Sequence, residues 1–350
     1  MKLTLVSNLV GNEILAKNII TDDGKLLLKH GERLNQEHIS NLKKYKIFFI
    51  YTKDENLDDI YEDSYLSTLK ETALKFIPDI FNNLLTGNTK FINEALSSVY
   101  DLIDYISKED TINTNLYEVK NYDNYTYIHC LDTCIMSTFL GTRLHYNKEN
   151  LQNLALAALF HDIGKTKISS SIINKKGLLT KNEFDIIKLH PFYSKEIISK
   201  ISSIPACVID GVAQHHEKFD GTGYPFGISG NEISEYARII SICDVFTAVS
   251  SNRNYRNRFD PYEAYELILS SSNTYFDPKL VELFKNTFSV YPLGSCLKLS
   301  NGIEGFVVKQ NPGFPDRPVL RVIYDMNKCK IHPYEIDLLK STNITVISVL

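Results

Sequence analysis

Between residues 65 and 107 apolar side chains recur at the three- and four-residue spacing of a helix face. They are Leu66, Leu69, Leu74 and Ile77, then Ile92, Leu96, Val99, Leu102, Ile103 and Ile106. The break at Gly87-Asn88 predicts two helices that pack on a neighbour or on a second copy of the chain. From residue 117 to 288 the pattern is helix after helix, with spans predicted at 127–145, 151–160 and 233–250. Thr180-Lys181-Asn182-Glu183 has the form of a capping box, and Asp260-Pro261 and Asp277-Pro278 each set a cap residue before a proline. On either side the periodicity shortens. Residues 13–16, 25–28 and 47–51 read as strands, the first two around Thr21-Asp22-Asp23-Gly24, with a helix over 36–45. Beyond Tyr291-Pro292-Leu293-Gly294, residues 298–300, 305–309 and 319–324 read as strands. The fold class is therefore mainly α: an all-helical core, a small mixed α/β N-terminal module and a small β-rich C-terminal segment. We divide the chain into an accessory or regulatory module (1–55), a helical linker and candidate dimer interface (56–115), a helical domain (116–288) and a β-rich cap (289–350).

Composition adds limits. Of 350 residues, 43% are hydrophobic and 23% charged, which suits an ordinary globular core. A net charge of −4 gives no general pull toward nucleic acid polymers or anionic membranes, so a phosphate ligand would need a local basic site. No apolar run approaches the ~20 residues that span a bilayer, and Met1-Lys2-Leu3-Thr4 does not begin a signal peptide. Six scattered cysteines without a Cys-x-x-Cys pair point to reduced thiols, and with the preceding features to a cytoplasmic location without membrane insertion.

The candidate chemistry is in the helical block. His129 lies early in one helix, and His161-Asp162 ends the apolar stretch 151–160. His190 precedes Pro191, His215-His216 ends a further helix, and Asp244 sits among Ile239, Ile240, Ile242, Val245 and Phe246. A carboxylate in such surroundings costs several kcal/mol unless a metal or hydrogen bonds offset it. Imidazole and carboxylate suit iron, manganese or zinc, and seven such groups exceed what one ion needs. Each alone means little, and His30, His38, His145 and His332 are read as solvated side chains.

In this order the residues resemble the HD-GYP family: His129, then His161-Asp162-Ile163-Gly164-Lys165, then His190-Pro191, then the stretch from His215 to Pro225, then Asp244. The stretch His215-His216-Glu217-Lys218-Phe219-Asp220-Gly221-Thr222-Gly223-Tyr224-Pro225 matches the signature HHE-x-x-DG-x-GYP at every specified position. The resemblance covers residues 120–285 and implies an HD-type helical core. It also implies two divalent metals, iron or manganese, and hydrolysis of cyclic di-GMP to pGpG and on to GMP by a hydroxide the metals generate. By position His129, His161, Asp162 and Asp244 hold the first metal. Asp162 bridges to the second, completed by His190, His215 and His216. Tyr125 stands where some members have a carboxylate for a third metal, so two are expected.

The same resemblance makes Lys165 the catalytic lysine, stabilising phosphate or the leaving oxygen. Asp220, Gly221, Gly223 and Pro225 are read as shaping a tight loop, while Tyr224 is a candidate for stacking on guanine. Arg253 and Arg256 stand where the family has Arg-Pro-Tyr-Arg and could clamp a dinucleotide phosphate, with Asn254 replacing the proline. Thr247 replaces a common Asp and Ser194 a common Gly; these changes bear on rate and substrate binding, not on the ligand set. The expected partners are cyclic di-GMP, a second copy of the chain, and a diguanylate cyclase or other signalling protein. Two other readings stand beside this one: a dinucleotide- or partner-binding module with little turnover, and an HD phosphohydrolase of another dinucleotide.

Overall fold

The computed structural model describes residues 1–21, 25–45, 47–60, 63–87, 92–108, 125–175, 177–201, 204–250 and 261–350. The chain opens with a small module in which β1 (Lys2–Leu5) pairs antiparallel with β4 (Phe49–Thr52), and β2 (Ile19–Ile20) with β3 (Leu26–Leu28). Helix α1 (Gln36–Lys44) starts where the Asn35 side chain accepts the His38 N–H at 2.8 Å. Val6, Leu9, Leu15, Leu28, Leu34, Ile39, Leu42, Ile47 and Ile50 form the module's own apolar cluster. The strand expected at residues 13–16 is reduced to single bridges at Ile14 and Leu15, and β1 was not anticipated.

Helices α2 (Ser64–Thr86) and α3 (Ile92–Ile106) follow, with Gly87 in the left-handed conformation (φ 73°) ending α2. Their apolar stripes are covered within the chain. Ile77, Ile80, Phe81, Val99, Leu102 and Ile103 belong to the same core as α4 (Tyr125–Arg143) and α5 (Lys148–Phe160). A half-buried Lys70 pairs with the buried Asp132 at 3.0 Å and ties α2 to α4 one turn past His129.

The C-terminal half of α5 is apolar around its whole circumference, and every residue from Leu154 to Phe160 is buried. It is the axis of the helical domain. A short 3₁₀ turn (Ile163–Lys167) leads to α6 (Ser170–Ile173), α7 (Lys181–Ile187), α8 (His190–Ile198) and α9 (Ala206–Gln214). The Thr180–Glu183 capping box opens α7 as expected. Next come α10 (Glu235–Ser250), α11 (Pro261–Ser270) and α12 (Pro278–Thr287). A Cβ on Gly211 of α9 would lie 3.1 Å from the Ala157 Cβ and 3.0 Å from the Tyr236 Cβ. Small residues thus let α9, α5 and α10 approach closely.

The tail is a five-stranded antiparallel sheet in the order β8-β7-β6-β5-β9. Its strands are β5 (Cys296–Leu299), β6 (Glu304–Lys309), β7 (Val319–Tyr324), β8 (Lys330–Asp337) and β9 (Val346–Val349). The middle three were legible in sequence, and the two edge strands were not. Arg321 of β7 joins the sheet to the N-terminal module, bonding Asp59 at 2.6 and 2.7 Å and the Asn56 carbonyl at 2.9 Å. Among the described residues, no helix is long and apolar enough to cross a membrane.

Asp277 both caps α12, accepting the Lys279 N–H at 2.9 Å, and receives a hydrogen bond from Arg238 of α10. Asp277→Ala is expected to lower unfolding free energy by about 1–2 kcal/mol, read from denaturant titration; a change within ~0.3 kcal/mol would show that the cap and the pair contribute nothing.

Candidate metal centre

Five segments bring side chains to one place: the first turn of α4, the end of α5, the start of α8, the end of α9 and the middle of α10. Three of the imidazoles are held in the same way. Nδ1 of His161, His190 and His215 lies 2.7 Å from the carbonyl oxygen of Ala158, Ile187 and Val212 respectively. Each carbonyl belongs to the last turn of a helix (α5, α7 and α9), where no backbone N–H is available to it. A carbonyl only accepts, so Nδ1 carries a proton, and Nε2 presents a lone pair whenever the ring is neutral.

His129, in the first turn of α4, has no such carbonyl within its own helix. Its Nδ1 faces the Thr247 hydroxyl of α10 at 3.1 Å, and that hydroxyl donates to the Asp244 carbonyl at 3.0 Å. Nε2 of His129 is thereby turned toward Asp244 Oδ1, 2.9 Å away. His216 is held by stacking: its ring lies 4.8 Å from that of Tyr224 at 29°, and the Tyr224 N–H donates to the His216 carbonyl at 3.1 Å.

The lone pairs converge on Asp162, which is 1% exposed. Its Oδ2 lies 3.4 Å from His161 Nε2 and 3.7 Å from His129 Nε2, and its Oδ1 3.3 Å from His190 Nε2 and 4.0 Å from His215 Nε2. Asp244 faces both sides, with Oδ1 3.7 Å from His161 Nε2 and Oδ2 4.0 Å from His216 Nδ1. Two sets of donor atoms, each within 4.8 Å of one another, share Asp162: His129 with His161, and His190 with His215 and His216.

The donor set fits a cation on two counts. His161 Nε2 and Asp162 Oδ1 are buried without a hydrogen-bond partner. The Nε2 atoms of His190 and His215, both lone-pair bearing in the neutral rings, face each other at 3.2 Å, which is repulsive unless a proton or a cation intervenes.

Burial opposes the charge on Asp162, but Lys165, His161 and His190 outweigh it and hold the carboxyl well below its usual range. Asp244 is likewise held low by His129 and His161 against burial. Burial also opposes a proton on His161, yet Asp162 and Asp244 prevail and raise it to about 10. Burial and then the neighbouring imidazoles push His215 well below the normal value and His216 to about 3. At neutral pH without metal, two carboxylates are thus balanced by protonated His161 and Lys165, whose Nζ lies 2.5 Å from Asp162 Oδ2.

The loop after His216 is anchored from within. Asp220 Oδ1 accepts from the Thr222 N–H at 2.9 Å and its hydroxyl at 2.7 Å, and Gly221 adopts φ 83°. A Cβ on Gly223 would come within 2.3 Å of the Lys218 nitrogen, so only glycine fits there. Pro225 follows a cis peptide bond. The buried Glu217 carboxylate accepts the N–H groups of Phe226 at 2.5 Å and Gly227 at 3.1 Å. Sequence reasoning gave Glu217 no role, although the signature contains it. The stacking partner of Tyr224 is His216; Arg253, Asn254, Arg256 and the cap Asp260 lie outside the described residues.

Residues 121–280 match the family described as HD domain, and residues 296–350 the family described as KOW domain associated with HD domain. A protein of Pseudomonas aeruginosa named cyclic di-GMP phosphodiesterase is 33% identical over 243 residues, 68% of this chain and 58% of the relative. One of Thermotoga maritima with the same name is 28% identical over 287 residues, 79% of this chain and 73% of the relative. A 3'3'-cGAMP-specific phosphodiesterase of Vibrio cholerae is 33% identical over 168 residues, 48% of this chain and 36% of the relative. The chain thus spans well under two thirds of the first and the last of these. A solved HDG"Y"P protein from Bdellovibrio bacteriovorus aligns with TM-score 0.50 at 18% identity, covering 80% of this chain and 97% of that one; it shares the fold. Residues 121–280 thus form an HD domain, and the ordered signature from His129 to Asp244 lies within it.

Proposed function

We propose that the chain is a metal-dependent phosphodiesterase that hydrolyses cyclic di-GMP in second-messenger signalling. The observation that carries this reading is the convergence of the imidazole lone pairs on a buried carboxylate that offers one oxygen to each side. His129, His161, Asp162 and Asp244 would hold one divalent ion, iron or manganese, and Asp162, His190, His215 and His216 the other. Such a pair supplies an activated water and neutralises charge on the phosphate.

The chain's own groups do the rest. The last-turn carbonyls hold Nδ1 of His161, His190 and His215 and so aim Nε2 at the centre. The Lys165 ammonium, anchored on Asp162, would stabilise a phosphate oxygen or the leaving ribose oxygen. Arg253 and Arg256 remain the candidates for clamping the dinucleotide. Tyr224 acts through His216, with its phenol proton held on by burial. Relatives named for cyclic di-GMP support the substrate, and those named for 3'3'-cGAMP keep the mixed dinucleotide as a second candidate.

Anaerobically purified protein loaded with Mn²⁺ or Fe²⁺ is expected to cleave cyclic di-GMP. His161→Ala and Asp162→Ala should each lose about a hundredfold or more, as metal stabilisation worth several kcal/mol is removed. Tight binding of the dinucleotide without turnover would replace the enzyme with a binding module, and turnover of 3'3'-cGAMP alone would change the substrate.

A proton accompanies the metal. His161 binds its proton up to about pH 10 in the metal-free cluster, so Nε2 must release it before it can serve a cation. Mn²⁺ affinity is therefore expected to rise about tenfold per unit across ~pH 6.5–8.5, with proton release visible in buffers of differing ionisation enthalpy. An affinity flat across that window would contradict the charge assignment.

A further inference from the structure

Ser194 stands on α8 one turn after His190 and is fully buried. Its hydroxyl donates to the His161 carbonyl at 2.8 Å and accepts the Gly164 N–H at 2.8 Å. These two backbone groups lie just past the end of α5, where neither has a partner within a helix, and they flank Asp162 and Ile163. One hydroxyl therefore closes the turn that carries Asp162 and fastens it to the helix that carries His190.

The contact is tight on the other side as well. A Cβ built on Gly164 would fall 2.1 Å from the His190 carbonyl oxygen and 2.5 Å from the Ser194 nitrogen, so the turn lies directly against the backbone of α8. That approach sets the 3.3 Å between Asp162 Oδ1 and His190 Nε2. Lys165 follows in the same turn, its N–H bonded to the Asp162 carbonyl at 2.9 Å. Glycine, which the resemblance implies at position 194, would offer no hydroxyl for this tie.

We propose that Ser194 is a positioning residue for the metal centre, fixing the distance between the two halves of the ligand set by satisfying the backbone of the His161–Gly164 turn. The inference rests on the two-metal reading above and acts only through other residues; Ser194 itself touches no ligand position. Removing the hydroxyl leaves a buried carbonyl and a buried N–H without their partner, and the turn can then shift toward other partners or water. Outer groups that orient metal ligands typically change metal affinity about 10–100-fold when they are lost.

The test compares the parent chain with Ser194→Ala and Ser194→Thr in Mn²⁺ titrations of metal-free protein, alongside thermal midpoints with and without Mn²⁺. Ser194→Cys, which keeps the side-chain length but bonds weakly, replaces the alanine variant if that one does not fold. We expect Ser194→Ala to bind Mn²⁺ about tenfold more weakly and to gain less from Mn²⁺ in its midpoint, with Ser194→Thr restoring most of the affinity. A purely structural role would lower both midpoints together and leave Mn²⁺ affinity within about twofold of the parent, which overturns the proposal. A parent chain that binds no Mn²⁺ or Fe²⁺ would instead remove the two-metal reading itself.

Discussion

A carboxylate shut inside a helical core can stay ionised only where positive or hydrogen-bonding partners surround it. Asp162 is such a group, and the fold is arranged around meeting that requirement. It sits just past the fully buried C-terminal half of α5 and is itself buried away from water. Without metal, the protonated His161 and the ammonium of Lys165 offset the two carboxylates. The same atoms can serve cations once those positive charges are displaced or withdrawn. The metal-free charge balance and the proposed metal-bound arrangement would be two states of one cluster.

The way the imidazoles are aimed follows from helix ends. A helix that stops leaves its last carbonyls unbonded, and three of the histidines use one of these, three residues back, to hold Nδ1–H. Each of these three helix ends thereby becomes a mount for an imidazole, whereas Asp244 projects from the middle of α10. His129 is the exception because it lies inside α4 rather than just past a helix end, and its Nδ1 faces the Thr247 hydroxyl of α10 instead. Ser194 does for the backbone of the Asp162 turn what Thr247 does for the His129 ring. Both hydroxyls are bonded to groups that hold the site together.

Much of this was legible in sequence. The helical spacing gave α2, α3, α4, α5 and α10, and the capping box gave the start of α7, since apolar stripes and caps are local signals. The five ligand segments were named from their order, and the structure brings all seven side chains to one place. What escaped was non-local. The hydroxyls of Ser194 and Thr247 act on residues far away in sequence, and no spacing reveals such contacts. Strands β8 and β9 are the two edges of their sheet, and β8 contains Pro333, which breaks the pattern of a strand while remaining tolerable at an edge. The bridges at Ile14 and Leu15 never extend into a strand because each meets a different partner, Arg33 and Thr52.

The claim that everything depends on is that Asp162 faces one cation with each of its oxygens. Anomalous diffraction from crystals of the manganese- or iron-loaded protein tests it directly. The account predicts two anomalous peaks flanking Asp162, one among His129, His161 and Asp244 and the other among His190, His215 and His216. A single peak, or peaks away from this carboxylate, would contradict it.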